Sequence, residues 1–291
     1  MKKLILLLAT AALCLNLTAQ DDPGKKDGDK DTIRIGGMRI VKKGKKNGDV
    51  SINIGGDNGK KKRKNLTTNW GIVDLGFANY SDKTNYANAG SFLVNRPGYP
   101  ALDKNDFKLK AGKSINVNIW FFMQRLNLVK HHVHLKYGLG LELNNYRYKS
   151  ESKISYKEGG LVPYTVNTQT NAPFIFRDSI SFSKNKLAAD YLTVPIMLNF
   201  VTNADERKNR FGLSVGVSAG YLYSQRNKQV SNDRGKLKNK GDYDLERFKF
   251  SYITELTLGP VTLYGSYSPK SMYEKSLDVK PFNIGFRLGY W

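Results

Sequence analysis

Between Val133 and Asn145 the apolar residues Val133, Leu135, Tyr137, Leu139, Leu141 and Leu143 alternate with His134, Lys136, Gly138, Gly140, Glu142 and Asn144. Successive side chains of an extended backbone point to opposite sides, so this order predicts a strand with one apolar and one polar or small face. The alternation recurs in Val73–Phe77, Ile115–Phe121, Leu192–Phe200, Phe211–Tyr221, Phe248–Leu258, Val261–Tyr267 and Phe282–Tyr290, giving eight strands in all. A soluble β-sandwich also alternates, but its strands usually run about 5 to 6 residues. Here the clearest stretches run to about 10 to 14 residues, the length a tilted strand needs to cross a bilayer.

The polar faces interleave Gly, Ser and Asn with charges of both signs, Asp74, Glu142 and Glu255 against Lys136, Lys249 and Arg287. An eight-stranded closed barrel has an interior just wide enough to be filled by side chains, so these acids and bases are expected to pair there. Tyr80, Tyr146, Tyr148, Tyr221, Tyr223, Tyr252, Tyr267 and Tyr290 lie near strand ends, where aromatic girdles form at the two membrane interfaces. The mean hydropathy of −0.49 excludes a bundle of membrane helices, which needs repeated apolar runs of about 20 residues. A barrel produces such a value naturally, because every second strand residue faces a polar interior.

The gaps between strands alternate in length. Residues 81–112, 150–186, 225–245 and 270–280 are long or medium gaps; 126–131, 202–209 and Gly259-Pro260 are short. Outer-membrane barrels have short periplasmic turns and longer extracellular loops. The expected fold is therefore an all-β, eight-stranded, antiparallel, up-and-down transmembrane β-barrel over residues 67–291, with both termini in the periplasm. The only cysteine, Cys14, precedes the barrel, so order in the loops has to come from packing or extra β-structure.

Ahead of the barrel, Met1-Lys2-Lys3, the apolar run Leu4–Leu15 and Thr18-Ala19-Gln20 read as a secretory signal peptide over residues 1–20, cleaved after Gln20. Leu13 before Cys14 argues against a lipidation signal. Residues 21–66 are rich in Lys, Asp and Gly and hold only two short β-like pieces, Thr32–Ile35 and Val50–Ile54. They predict a disordered tail or at most a weak hairpin. The formal charge of +22 divides into +2 on the leader, +7 on the tail and +13 beyond it. Two readings of the tail stay open: a solvated linker, or a basic arm that touches peptidoglycan carboxylates, lipid phosphates or envelope proteins. Export removes the nucleic-acid reading that Lys60-Lys61-Lys62-Arg63-Lys64 invites.

Trp70-Gly71, Lys113–Asn118, Tyr137–Tyr146 and Tyr191–Ile196 together resemble the outer-membrane β-barrel proteins of Bacteroidetes, the broad PorT-like group. Phe282–Trp291 resembles the C-terminal strand by which the barrel-assembly machinery recognises its clients. One departure is that Trp291 falls on the polar phase while Tyr290 ends the apolar one. The resemblance implies the barrel, outer-membrane lipids and lipopolysaccharide as surroundings, and no particular activity.

No catalytic, cofactor or metal residue is predicted. His131, His132 and His134 cluster beside a short turn, without a further His or Cys, and alternation sends neighbours to opposite faces. No phosphate loop, HExxH motif or nucleophile elbow occurs. Asp31-Thr32-Ile33 and Asp178-Ser179-Ile180 resemble a short O-glycosylation signal. The functional expectation is a non-enzymatic structural or interaction protein of the cell envelope. A small porin or channel and an accessory barrel of a secretion or assembly system are the alternatives.

Overall fold

The computed structural model describes residues 32–35, 38–44, 50–56, 64–149, 152–202 and 211–288, with side chains from residue 64 onward. The leader, Cys14, most of the Lys60–Lys64 cluster, Asp31, Tyr290 and Trp291 lie outside the described residues. Two units divide the chain, residues 1–63 and 64–291.

In the first unit β1 (Thr32–Ile35), β2 (Met38–Gly44) and β3 (Val50–Gly56) form an antiparallel sheet in that order. Ile35 pairs with Met38 at the end of the β1–β2 ladder. The two β-like pieces read from the sequence, Thr32–Ile35 and Val50–Ile54, fall in β1 and β3. Met38–Gly44, too basic to read as a strand, supplies the central strand because it carries Met38, Ile40 and Val41 between two β-like neighbours.

In the second unit the strands are β4 (Leu66–Asp82), β5 (Leu93–Val94), β6 (Ile115–Val129), β7 (Val133–Arg147), β8 (Ile154–Lys157), β9 (Gly160–Leu161) and β10 (Gln169–Thr170). There follow β11 (Phe174–Arg177), β12 (Lys184–Val201), β13 (Phe211–Ser231), β14 (Gly235–Lys240), β15 (Phe248–Leu258), β16 (Val261–Tyr267) and β17 (Val279–Leu288). β4, β6, β7, β12, β13, β15, β16 and β17 pair antiparallel with their neighbours in chain order, and β17 pairs with β4 to close the ring. The expected eight-stranded up-and-down barrel is thereby formed. Closure leaves no free edge among these strands over the span.

Alternation decides which side faces out. Val194, Ile196, Leu198, Val215, Val217, Phe250, Leu263, Ile284 and Phe286 are all exposed. They belong to a contiguous apolar belt of a kind that a soluble surface does not carry but a bilayer solvates. Besides a register shift beside Leu128 near the end of β6, two bulges shift the phase. At Phe121 the β6–β7 register slips between Trp120 and Phe122, so that Trp120 and Met123 both turn inward. At Tyr223 the β12–β13 register slips in the same way, and above it the inward residues of β13 become Asn227, Gln229 and Ser231.

Short turns lie at one end: Lys130–His132 and Gly259-Pro260, where Leu258 pairs with Val261 and Gly259 takes φ +56, beside the paired ends Val201 and Gly212 of β12 and β13. The long connections lie at the other end. There β12 and β13 run past their neighbours and β14 adds to β13 as a hairpin, so the expected loop 225–245 is largely strand.

Candidate functional site

Inside the barrel the three acids and three bases expected there meet. Arg287 donates from Nε to Asp74 Oδ1 at 2.7 Å and from its terminal nitrogen to Asp74 Oδ2 at 3.1 Å. The same terminal nitrogen lies 2.7 Å from Glu255 Oε1. Lys136 pairs with Glu255, and Lys249 with Glu142. All six residues are buried. Such charges are tolerated only when paired and hydrogen-bonded, because their desolvation costs several kcal/mol per ion. The supporting bonds are present: Trp120 Nε1 donates to Asp74 Oδ2 at 2.7 Å, Asn144 to Glu142 at 3.1 Å, Asn283 to Glu142 at 3.2 Å and Ser214 to Glu255 at 3.2 Å.

Small residues make room for the large ones. Gly76 and Gly285 face each other across β4 and β17, and the Tyr264 ring lies over both. Its hydroxyl donates to Asn116 Oδ1. Gly140 leaves the same space for Trp120. Ile72, Trp120, Met123 and Met197 form an apolar layer inside the barrel, which the polar reading of the inward face did not include. The pocket among Asp74, Glu142, Glu255, Tyr264 and Arg287 is about 30 Å³, room for a water or two.

The larger apolar core lies in the long connections. Phe92, Leu102 and Phe107 from the first, Ile154, Tyr156 and Ile175 from the second, Tyr243 and Leu245 from the third, and Met272, Tyr273 and Leu277 from the fourth pack with the ends of the barrel strands. β5 pairs in parallel with β11, and β11 antiparallel with β8, which joins the first two connections in one small sheet. The hydroxyls of Tyr148, Tyr156 and Tyr273 form a chain, 2.5 Å and 2.7 Å apart. Burial raises the Tyr156 and Tyr273 phenols well above their ordinary pKa, so both remain neutral donors. Arg234 grips Asp178 with two bonds of 2.8 and 3.2 Å, Arg177 reaches Asp106 at 2.7 Å, and Asp244 accepts from Lys275 N, Ser276 N and Ser276 Oγ. The connections thus fold into a cap over the barrel mouth, ordered by packing and extra β-structure.

The girdle expectation needs correction. Tyr221, Tyr223, Tyr252 and Tyr267 are exposed at the outer surface, but Tyr146 and Tyr148 are buried in the cap core and Tyr80 donates to the Phe107 carbonyl beside it. Their strand positions point inward, and the cap supplies the apolar surroundings that a membrane interface was expected to provide. The three histidines do not meet at one point: the His131 and His134 rings lie 6.4 Å apart, with His134 buried on the inward side, while His132 Nδ1 lies 3.0 Å from the Val201 carbonyl at the short-turn end. Among the described residues no cluster of His, Cys, Asp and Glu could hold a metal ion. Ser179 is exposed, and Asp178 beside it is engaged by Arg234 and Ser155.

Residues 77–290 match the sequence profile described as outer membrane protein beta-barrel domain. Two crystal structures of Ail, the attachment invasion locus protein of Yersinia pestis, are similar to the chain. The first has 12% identity over 75% of this chain and 97% of that chain, with a TM-score of 0.28. The second, in complex with the heparin analogue sucrose octasulfate, has 13% identity over 76% and 100%, with a TM-score of 0.28. No curated protein sequence matches the chain.

Proposed function

Because this chain belongs to the outer membrane protein β-barrel domain family, we propose that it serves in the outer membrane as a closed, non-enzymatic barrel whose work is contact rather than transport. One observation carries the reading: paired charges fill the lumen at the level of Asp74, Glu142 and Glu255, and the pocket they line, about 30 Å³, has room for only a water or two. A channel needs a continuous aqueous path, and a porin of this strand number has no room for one.

In this reading the short turns and both termini face the periplasm and the folded cap faces outward, in keeping with the usual asymmetry of such barrels. The apolar belt meets outer-membrane lipids, including lipopolysaccharide, and the barrel-assembly machinery inserts the chain. The basic residues of the 21–66 segment suit contact with peptidoglycan or other acidic envelope components. The cap, packed from all four long connections, is the surface for partners.

Single-channel recording in planar bilayers tests the proposal. No reproducible steps are expected from the heat-modifiable, folded barrel; steady unitary conductance would overturn the contact reading in favour of a porin.

A further inference from the structure

Above the aromatic belt the outward side of the β12–β13–β14 extension changes from apolar to cationic. Arg147 on β7 pairs with Lys186 on β12, Lys186 with Lys228 on β13, and Lys228 with Lys238 on β14. Four cations therefore stand directly opposite one another across four adjacent strands. The rows on either side add to them: Arg226 pairs with Lys240, and Lys184 and Lys236 flank Val230. Alternation places all of these on the side that lower down carries Val194, Ile196, Val215 and Val217, while Asn185, Leu187, Asn227 and Gln229 turn inward.

Like charges directly opposite in a sheet destabilise it, and compensation within the protein is slight. One acid, Asp190, pairs with Arg226 and also attracts Lys186 and Lys238, and the hydrogen bond of Lys186 goes to the neutral Asn145 Oδ1 at 2.6 Å. Among the described residues Lys184, Lys186, Lys228, Lys236, Lys238 and Lys240 form no ion pair. These positions lie outside the membrane span, since Leu192–Val201 alone supplies the roughly 10 residues that crossing requires. Partial burial, with Lys184, Lys228 and Arg226 nearby, brings the Lys186 ammonium down to about 8. Lys228 is lowered too, chiefly by Lys236 and Lys184. The sheet holds these charges together at a cost that an external anion would offset.

We propose that this cationic face binds the phosphate groups of the lipids surrounding the barrel. The assignment rests on the outward-facing cap proposed above. Two observations favour a lipid over a soluble polyanion. The grid points sideways, in direct continuation of the lipid-facing belt, rather than up from the cap. At about 3.3 Å per residue and a tilt of roughly 40°, Arg226 and Lys228 stand roughly 8 to 13 Å beyond Tyr223, the depth of a phosphorylated headgroup layer.

The test uses the full-length, folded protein in detergent micelles with rough-type lipopolysaccharide, the same lipid after dephosphorylation, and soluble inorganic polyphosphate. The variant Lys186→Thr/Lys228→Thr/Lys238→Thr removes the central row with a residue that favours strands. Lys83→Gln/Lys108→Gln/Lys149→Gln removes as much charge elsewhere around the cap. We expect the first variant to bind phosphorylated lipopolysaccharide at least tenfold more weakly and with less salt dependence. The second should bind like wild type, and dephosphorylated lipid should bind wild type as weakly as phosphorylated lipid binds the first variant. Unchanged binding by the row variant, equal loss in both variants, or equal affinity for dephosphorylated lipid would overturn the proposal. So would polyphosphate binding as tightly as the lipid, which would make the face a site for a soluble polyanion. Heat modifiability of each variant separates these outcomes from failure to fold. A second readout is the single variant Lys228→Thr, whose thermal midpoint should rise less than that of wild type when the phosphorylated lipid is added; an equal rise counts against the site. Loss of the barrel reading itself would show independently, as buffer-soluble protein without a heat-modifiable band.

Discussion

Arg287 on the last strand holds Asp74 on the first through two hydrogen bonds, of 2.7 and 3.1 Å, beside the seam where the barrel closes. The same guanidinium reaches Glu255 at 2.7 Å. One side chain therefore neutralises carboxylates from two other strands. Arg287→Met leaves Asp74 with only the Trp120 N–H and Glu255 with Lys136 and Ser214. Breaking a buried pair from one side costs about 3–5 kcal/mol. We expect a large fall in the urea midpoint for folding into lipid vesicles, and a smaller one for Arg287→Lys, which keeps the charge but loses the fork. An unchanged midpoint for Arg287→Met would contradict the network.

Gly285 is required by its neighbours. A Cβ there would lie 2.2 Å from the Leu75 carbonyl oxygen, 2.5 Å from Gly76 Cα and 2.7 Å from Tyr264 Cε1. Gly285→Ala must push the strands or the ring aside, at a cost of about 1–3 kcal/mol. Gly212→Ala provides the comparison, since its nearest neighbour is the Thr257 side chain at 3.3 Å. Refolding yield in vesicles should fall for the first variant and stay near wild type for the second.

Tyr156 is the middle hydroxyl of the cap chain, between Tyr148 and Tyr273. Tyr156→Phe leaves both neighbours short of a partner in a buried site, worth about 1–3 kcal/mol locally. Because the barrel folds around other contacts, the effect belongs to the cap. Hydrogen exchange over Ile154–Lys157 should accelerate while exchange in β15 and β16 stays unchanged; acceleration in both would mean that cap and barrel unfold together.

Asp244 ties the third long connection to the fourth by accepting from Lys275 N and Ser276 N, each at 3.1 Å, and from Ser276 Oγ at 2.5 Å. Its φ is +62, so Asp244→Gly removes the carboxylate without adding backbone strain. Limited trypsin treatment should leave the wild-type chain intact at Lys275 and cut the variant there. Equal cleavage of both proteins would contradict an ordered cap.

The sequence by itself determined the eight barrel strands and, up to the bulges, which side of each faces the lumen, because period-two alternation is a local property of an extended backbone. It even named the six charges, Asp74, Glu142, Glu255, Lys136, Lys249 and Arg287, that share the interior. It did not say that Lys136 meets Glu255 or that Lys249 meets Glu142. Those partners depend on the stagger between strands, which distant backbone pairing decides. The same holds where alternation breaks: bulges at Phe121 and Tyr223 reverse the phase, and no local pattern marks the residue at which one strand gains a position on its neighbour. Tyr80, Tyr146 and Tyr148 read as girdle residues because the loops that cover them are far away in sequence. Only the tertiary structure brought those loops together into a cap, and lined up Arg147, Lys186, Lys228 and Lys238 in one row, since each contact joins residues that chain order keeps apart.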